Sequence, residues 1–404
     1  MTITGTTSSD PATLRAALVD QLAQAGAFTT PAIADAFGRL PREVFLPGVD
    51  LAIAYSRKPV VTKRGADGSA LSSASAPGVV ATMLGQLDPQ PGQRILEIGA
   101  ATGINAALLA DLVGPTGTVV TVEIDQDLTD GARAALDRAG YPDVVVVCGD
   151  GAHGYPERAP YDGLIVTAGA WDIPPAWWEQ LAIGARLVAP VVLHGSGLTR
   201  SLPFDHVQPG LLVSTRAQTC GFVPMRGFTE HTGPAMVAVG EGVGLSHDPA
   251  DQVDAAALGH ALAGPGTERW SGAVIDQQRP GAHLDLWLAT TGSGYGRLGV
   301  SDEARARGVD PTRRWAGAAV VDGGALAYLV LRNLDAGREE IGVIAHGPHA
   351  ERLANRTIER VRDWHQRGVD QPTVTAVPGD APKSPLPTGG HRIDKPHARL
   401  TVNW

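Results

Sequence analysis

Cysteine is nearly missing: two residues, Cys148 and Cys220, in 404. That is too few for a disulfide framework, and a reducing cytosol is the expected setting. Cys148 falls in an apolar, strand-like run, so it is expected to be a small core side chain. Aromatic residues make up only 5% and lysine is scarce. With abundant Gly, Pro and Ala, this composition is associated with GC-rich genomes. Basic residues are outnumbered, 33 to 42, for a formal charge of −9, which argues against broad nucleic-acid affinity. No apolar run approaches the roughly 20 residues of a membrane-spanning helix. The start, Met1–Asp10, is polar, so no signal peptide is expected and the protein is expected to be cytoplasmic. The length suits two or three domains.

What is present centres on Arg94-Ile-Leu-Glu-Ile-Gly-Ala-Ala-Thr-Gly-Ile-Asn-Ala-Ala-Leu-Leu-Ala110. Ile95 to Ile98 reads as a buried parallel strand and Asn105 to Leu112 as a helix opening. Small residues at Gly99, Ala101 and Gly103 let a ligand lie against the turn, and the helix start offers free N–H groups. The next strand, Gly117–Asp125, carries Glu123 twenty residues after Gly103, near the distance at which an acid reaches ribose hydroxyls. A dinucleotide turn wants a third glycine where Ile104 stands, which disfavours a nicotinamide oxidoreductase. Glu97 with Gly99 and Gly103 instead resembles the acid-first turn of S-adenosylmethionine (AdoMet) methyltransferases. Val144–Gly151 is a third strand ending in Asp150-Gly151, and Asp150 is placed to take the adenine amino group.

Strands and helices alternate from Gly92 onward: 94–98, 105–113, 118–123, 128–139, 143–148, 162–167, a helix over 177–183, and a strand over 186–193. This pattern predicts a doubly wound parallel α/β sheet with its ligand crevice at the carboxyl ends of the strands. Before it, Pro11–Ala25 and Pro31–Phe37 read as helices, Leu40–Gly48 as an extended piece and Lys63–Gly68 as a loop. Ser72, Ser73 and Ser75 precede a helix with Pro77 in its first turn. Ser75 either caps that helix or faces a ligand.

Pro41-Arg42-Glu43-x-Phe45-x-Pro47, Ala54-Tyr55, Ser75-Ala76-Pro77, Leu96–Gly99, Gly149–Gly151, Pro160–Asp162, Gln180-Leu181 and Pro190-Val191 occur in an order that resembles the protein-L-isoaspartate O-methyltransferase family, over residues 10–225. The resemblance implies a Rossmann-like class I fold, AdoMet as cofactor and a peptide carboxylate as acceptor. It implies Ser75 as the active-site serine, with Ser72 and Ser73 beside the donor. Glu97, Gly99, Ala101, Gly103, Glu123, Asp150 and Gly151 would hold the cofactor. Arg42, Tyr55 and Arg226 are weaker candidates for peptide contacts. Ala101 and Ile104 depart from the family's usual glycine and aromatic residue.

Repair members of the family are expected to end near this match, whereas this chain continues. Gln218–Gly227 and the tail resemble an actinobacterial branch associated with ribosomally made peptide natural products of lanthipeptide and graspetide type. That implies esterification of an aspartate in a precursor peptide, closing to an aspartimide that opens to isoaspartate. General isoaspartate repair and a non-catalytic, AdoMet-binding peptide escort are the alternatives. Three segments are expected: 1–90 substrate-facing, 91–227 cofactor-binding, and 228–404 an α+β module that binds substrate, acts as a lid or dimerises. Strands are expected over 269–275, 282–288, 318–321, 326–331, 340–344 and 397–404, a helix between Gly347 and Gly368, and a loop over 379–396. His346 and His349 read as surface or capping residues rather than a metal pair.

Overall fold

The computed structural model describes residues 10–277, 281–335, 337–368, 371–383, 385–386 and 389–404; the polar start before Asp10 and parts of the 379–396 loop lie outside the described residues. The chain opens with α1 (Pro11–Gln24), capped by Asp10, α2 (Pro31–Arg39), capped by Thr30, and the short α3 (Leu51–Ala54). Proline at the first helical position costs no hydrogen bond there, which is why Pro11 and Pro31 start helices. The expected extended piece at 40–48 is instead a 3₁₀ turn over Arg42–Phe45, closed because Phe45 and Leu46 turn into the core. Of the expected loop at 63–68, residues 65–68 form the turn of a hairpin, while Lys63 and Arg64 end its first strand; β1 (Val60–Arg64) and β2 (Ala70–Ala74) pair Lys63 with Ser72 and Val61 with Ser73.

After α4 (Pro77–Leu87) come β3 (Arg94–Ile98), α5 (Ile104–Val113), β4 (Thr118–Glu123), α6 (Gln126–Ala139), β5 (Val145–Cys148), β6 (Tyr161–Val166), α7 (Pro175–Gln180) and the long β7 (Leu181–His194). β5, β4, β3, β6 and β7 lie side by side and parallel. Side chains alternate across this layer: Leu96 and Ile98 enter one core, Ile95 the other, formed with α1, α2, α4 and α5. Cys148 is exposed, not buried as expected, because it ends β5, the sheet's outer strand.

The sheet continues antiparallel through β8 (Leu198–Gln208) and β9 (Leu211–Ser214), with β10 (Gln218–Thr219) beside β8. The chain then builds a second, seven-stranded antiparallel sheet. Its elements are β11 (Ala235–Gly240), β12 (Val243–His247), α8 (Ala255–Ala263), β13 (Thr267–Ile275), α9 (Leu284–Thr291), β14 (Tyr295–Val300), α10 (Asp302–Ala306), β15 (Ala318–Asp322), β16 (Ala325–Asn333), β17 (Glu339–His346) and α11 (Ala350–Arg367). The strand expected at 282–288 is the helix α9. Leu284, Leu286 and Leu288 mimic a strand's alternation, yet every residue from Leu284 to Thr290 is buried, as in a helix enclosed on all sides.

Finally β18 (Thr373–Pro378), β19 (His391–Asp394) and β20 (Ala398–Asn403) return to the first sheet, β18 pairing with β9. Residues 373–403, assigned from sequence to the C-terminal module, therefore complete the eleven-stranded cofactor sheet. One apolar cluster runs from Leu96 and Trp177 to Trp287, Trp364 and Leu400. Across it, Arg200 of β8 meets Asp285 of α9 at 2.5 Å, and donates to His283 Nδ1 at 3.1 Å.

Candidate active site

β3 stops at Ile98 and the chain turns at once. Gly99 has φ +99°, and a Cβ there would lie 2.7 Å from Thr167 Oγ1, so the turn requires glycine. Ala101 is held at φ +46°, a left-handed conformation that costs an L-residue about 1 kcal/mol. Its N–H donates to Glu123 Oε2 at 2.9 Å, a charge-assisted bond that offsets the strain. Thr167, at the end of β6, donates to the Gly99 carbonyl at 2.6 Å.

The crevice over this turn has two narrow compartments, of about 40 and 60 Å³, both bordered by Ser73, Gly99, Ala101 and Thr167. Ser75, Glu97, Asn105 and Phe222 border the inner one. Ser72, Glu123, Gly151 and Arg226 border the outer one. Ser75 does not cap α4: the N-cap is Ala76, and no side-chain hydrogen bond caps the helix among the described residues.

Glu97 is fully buried, accepting from Asn105 Nδ2 at 2.8 Å and from Thr121 Oγ1 at 2.6 Å. Burial pushes its carboxyl up to about 7. Because the folded state holds this proton more tightly, Glu97 costs stability as pH rises from the ordinary carboxylate range through about 7. Glu97→Gln is expected to flatten that decline. The two proteins should melt alike near pH 5 and the variant higher above pH 7, by calorimetry across pH; parallel curves would mean that ionising Glu97 costs nothing.

Gly103 and Asp150 do not border the crevice. Gly103 caps α5 beside Leu136, and Asp150 accepts from Ala152 N at 2.9 Å and Phe228 N at 2.6 Å. Asp150 thus anchors the strap 222–228, which crosses the crevice and is fastened to Gly169 by paired backbone hydrogen bonds. The hairpin β1–β2 covers the other side. Asp125, the N-cap of α6, ties both down, meeting Arg226 at 2.7 Å and Lys63 at 3.0 Å. Arg226 holds the Asp125 carboxyl below the usual range.

Arg42 and Tyr55 stand away from this site, in the N-terminal core. Arg42 donates to the Ala54 carbonyl at 2.8 Å and burial lowers its guanidinium to about 10; Tyr55 donates to Glu43. Sequence reasoning missed Asn105, Thr121, Thr167 and Asp125. Thr167 and Asp125 left a trace, each as the polar end of an apolar strand. Among the described residues no three His, Cys, Asp or Glu side chains group as a metal site, and no helix is long and apolar enough to cross a membrane.

AdoMet fits these residues. Glu123 presents a carboxylate beside the turn, Gly99 leaves bare a floor that a Cβ would fill, and Arg226 at the rim is neutralised by Asp125, which suits a cationic sulfonium. Glu123→Gln is expected to weaken AdoMet binding about tenfold by calorimetry, the worth of one charged hydrogen bond. Unchanged affinity would remove Glu123 from the cofactor site.

A doubly wound sheet with an acid ending β4 and a hydroxyl-lined crevice suits an AdoMet-dependent methyltransferase. Residues 13–230 match the family described as protein-L-isoaspartate(D-aspartate) O-methyltransferase (PCMT), and the chain belongs to that family. A protein-L-isoaspartate O-methyltransferase of Methanopyrus kandleri is 40% identical over 215 residues, 53% of this chain and 91% of that one. One of Hyperthermus butylicus is 37% identical over 222 residues, covering 53% and 88%. A solved structure titled protein-L-isoaspartate O-methyltransferase aligns over 89% of this chain and 96% of its own, with TM-score 0.51 and 22% identity. A fold of this extent therefore occurs in a protein with that title, and the tail does not set this chain apart from it.

Proposed function

We propose that the protein transfers a methyl group from AdoMet to the side-chain or α-carboxylate of an aspartyl or isoaspartyl residue in a peptide. The observation that carries this reading is Ser75, released from helix capping and bordering the same compartment as Gly99 and Ala101. Bound there, AdoMet supplies a sulfonium methyl that a carboxylate oxygen attacks directly, so no proton has to be removed. An aspartate is already ionised at neutral pH. The protein's work is alignment, worth several kcal/mol when the reacting atoms are well held. Ser75 donates to one carboxylate oxygen and leaves the other free to react. Ser72 and Ser73 wall the donor, Glu123 holds the turn and the ribose side, and Phe222 excludes water from the inner compartment.

A finer reading, which the resemblance of Gln218–Gly227 supports, makes the acceptor one aspartate of a ribosomally made precursor peptide. In the product ester the next residue's amide nitrogen attacks the carbonyl; a C–N bond forms, methanol leaves and an aspartimide results. Mass spectrometry tests both readings. Gain of one methylene and then loss of methanol on a single Asp supports tailoring, and methylation of generic isoaspartyl peptides supports repair. No transfer to either overturns the methyl-transfer reading.

A further inference from the structure

A cavity of about 690 Å³ opens between α7, the start of β7 and the returning strands near β18 and β20. This is the size of a ligand-binding site. Its walls include Trp178, Pro209, Pro396 and Ile183, and the last is an apolar side chain left 56% exposed. Trp178 spends its indole N–H on the Ile173 carbonyl, so its ring is left for apolar contact.

The cavity also carries unspent polarity. His206 is only 3% exposed, and its Nδ1 lies 3.2 Å from the carbonyls of Leu181 and Ala182. Nδ1 therefore holds the proton in the neutral ring, and Nε2 is buried and without a partner among the described residues. Exposed Glu179 and Asp380 also border the cavity and give it negative charge.

The cavity adjoins the strap that crosses the crevice. His397 on its wall is fixed by buried Asp172 at 2.9 Å, and its ring lies 4.9 Å from that of Phe228. Phe228, 55% exposed, belongs to the strap whose Arg226 borders the crevice. Phe228 thus stands between the cavity wall and the strap over the crevice.

We propose that this cavity is an exosite for the segment of the peptide substrate flanking the acceptor residue, an extended stretch rich in apolar residues and proline with a basic residue. The inference rests on the acceptor being a peptide. Rigid proline walls and a tryptophan face suit an extended chain, and Glu179 and Asp380 repel acidic flanks.

The test uses the full chain and a fluorescein-labelled probe of about twelve residues, long enough when extended to fill the cavity. The probe is built of Leu, Pro and Lys and has no Asp or Glu, so it cannot be methylated. Anisotropy should report binding to the wild type, and Ile183→Glu should weaken it about tenfold or more, as expected for losing an apolar anchor. Glu179→Lys should also weaken it, and a probe with Glu for Lys should bind less tightly than the original. AdoMet affinity should be unchanged in both variants. Equal binding by wild type and both variants, or no binding to the wild type, overturns the exosite. Because the probe carries no acceptor, these outcomes are independent of whether methyl transfer occurs.

Discussion

Ser75→Ala should lower kcat between about tenfold and a hundredfold while AdoMet affinity stays within twofold or so, since a hydrogen bond to a charged oxygen contributes about 1.5–3 kcal/mol. Without the hydroxyl, the acceptor carboxylate turns freely and presents the wrong oxygen or the wrong angle for much of its time. The separation of the two readouts is what matters. Ser75 borders the compartment but does not cap α4, so its loss should leave the helix and the cofactor turn intact. Calorimetric titration with AdoMet alongside initial rates measures both. If both fall together, Ser75 belongs to the cofactor or to the fold; if neither moves, the acceptor is held elsewhere.

Asp285→Ala is expected to cost about 3–5 kcal/mol of stability, because it strands a buried guanidinium. The Arg200 side chain is 1% exposed and has no route to water. The effect should exceed that of any surface pair, such as Arg313 with Asp302, which solvent screens. Arg200→Met with Asp285→Leu should recover most of the loss, since an apolar pair of similar volume leaves no charge behind. Chemical denaturation of the single and double variants measures this, and a single variant within 1 kcal/mol or so of the wild type would mean that water reaches the pair.

The cofactor sheet was legible in the sequence because parallel strands buried on both faces write continuous apolar runs, and because Gly99, Glu123 and the β–α spacing sit at fixed offsets. The tail was legible only where local pattern decided, as in α11 with its stripe Leu353, Ile358, Val361 and Trp364. α9 was misread because total burial erases helical periodicity. The return of β18 to β9 left no local mark, since a pairing between Thr375 and Val213 is a long-range fact. At the site, Glu97 and Glu123 stood out by spacing, whereas local propensity left Ser75 as a helix cap and only the family resemblance pointed to it as a site residue. The roof was not, because Asp125 gathers Lys63 and Arg226 from segments more than 160 residues apart in the chain.

The closure of the first sheet by β18, β20 and β19 has a bearing on biosynthesis. While the ribosome is still making the seven-stranded sheet, β9 has already emerged with one flank of backbone N–H and C=O groups unpaired. An open flank of that kind pairs readily with other nascent chains, so the interval before Thr373–Pro378 emerges is the period of greatest exposure to misassembly. A truncation that keeps every crevice residue but stops short of that strand would make the interval permanent.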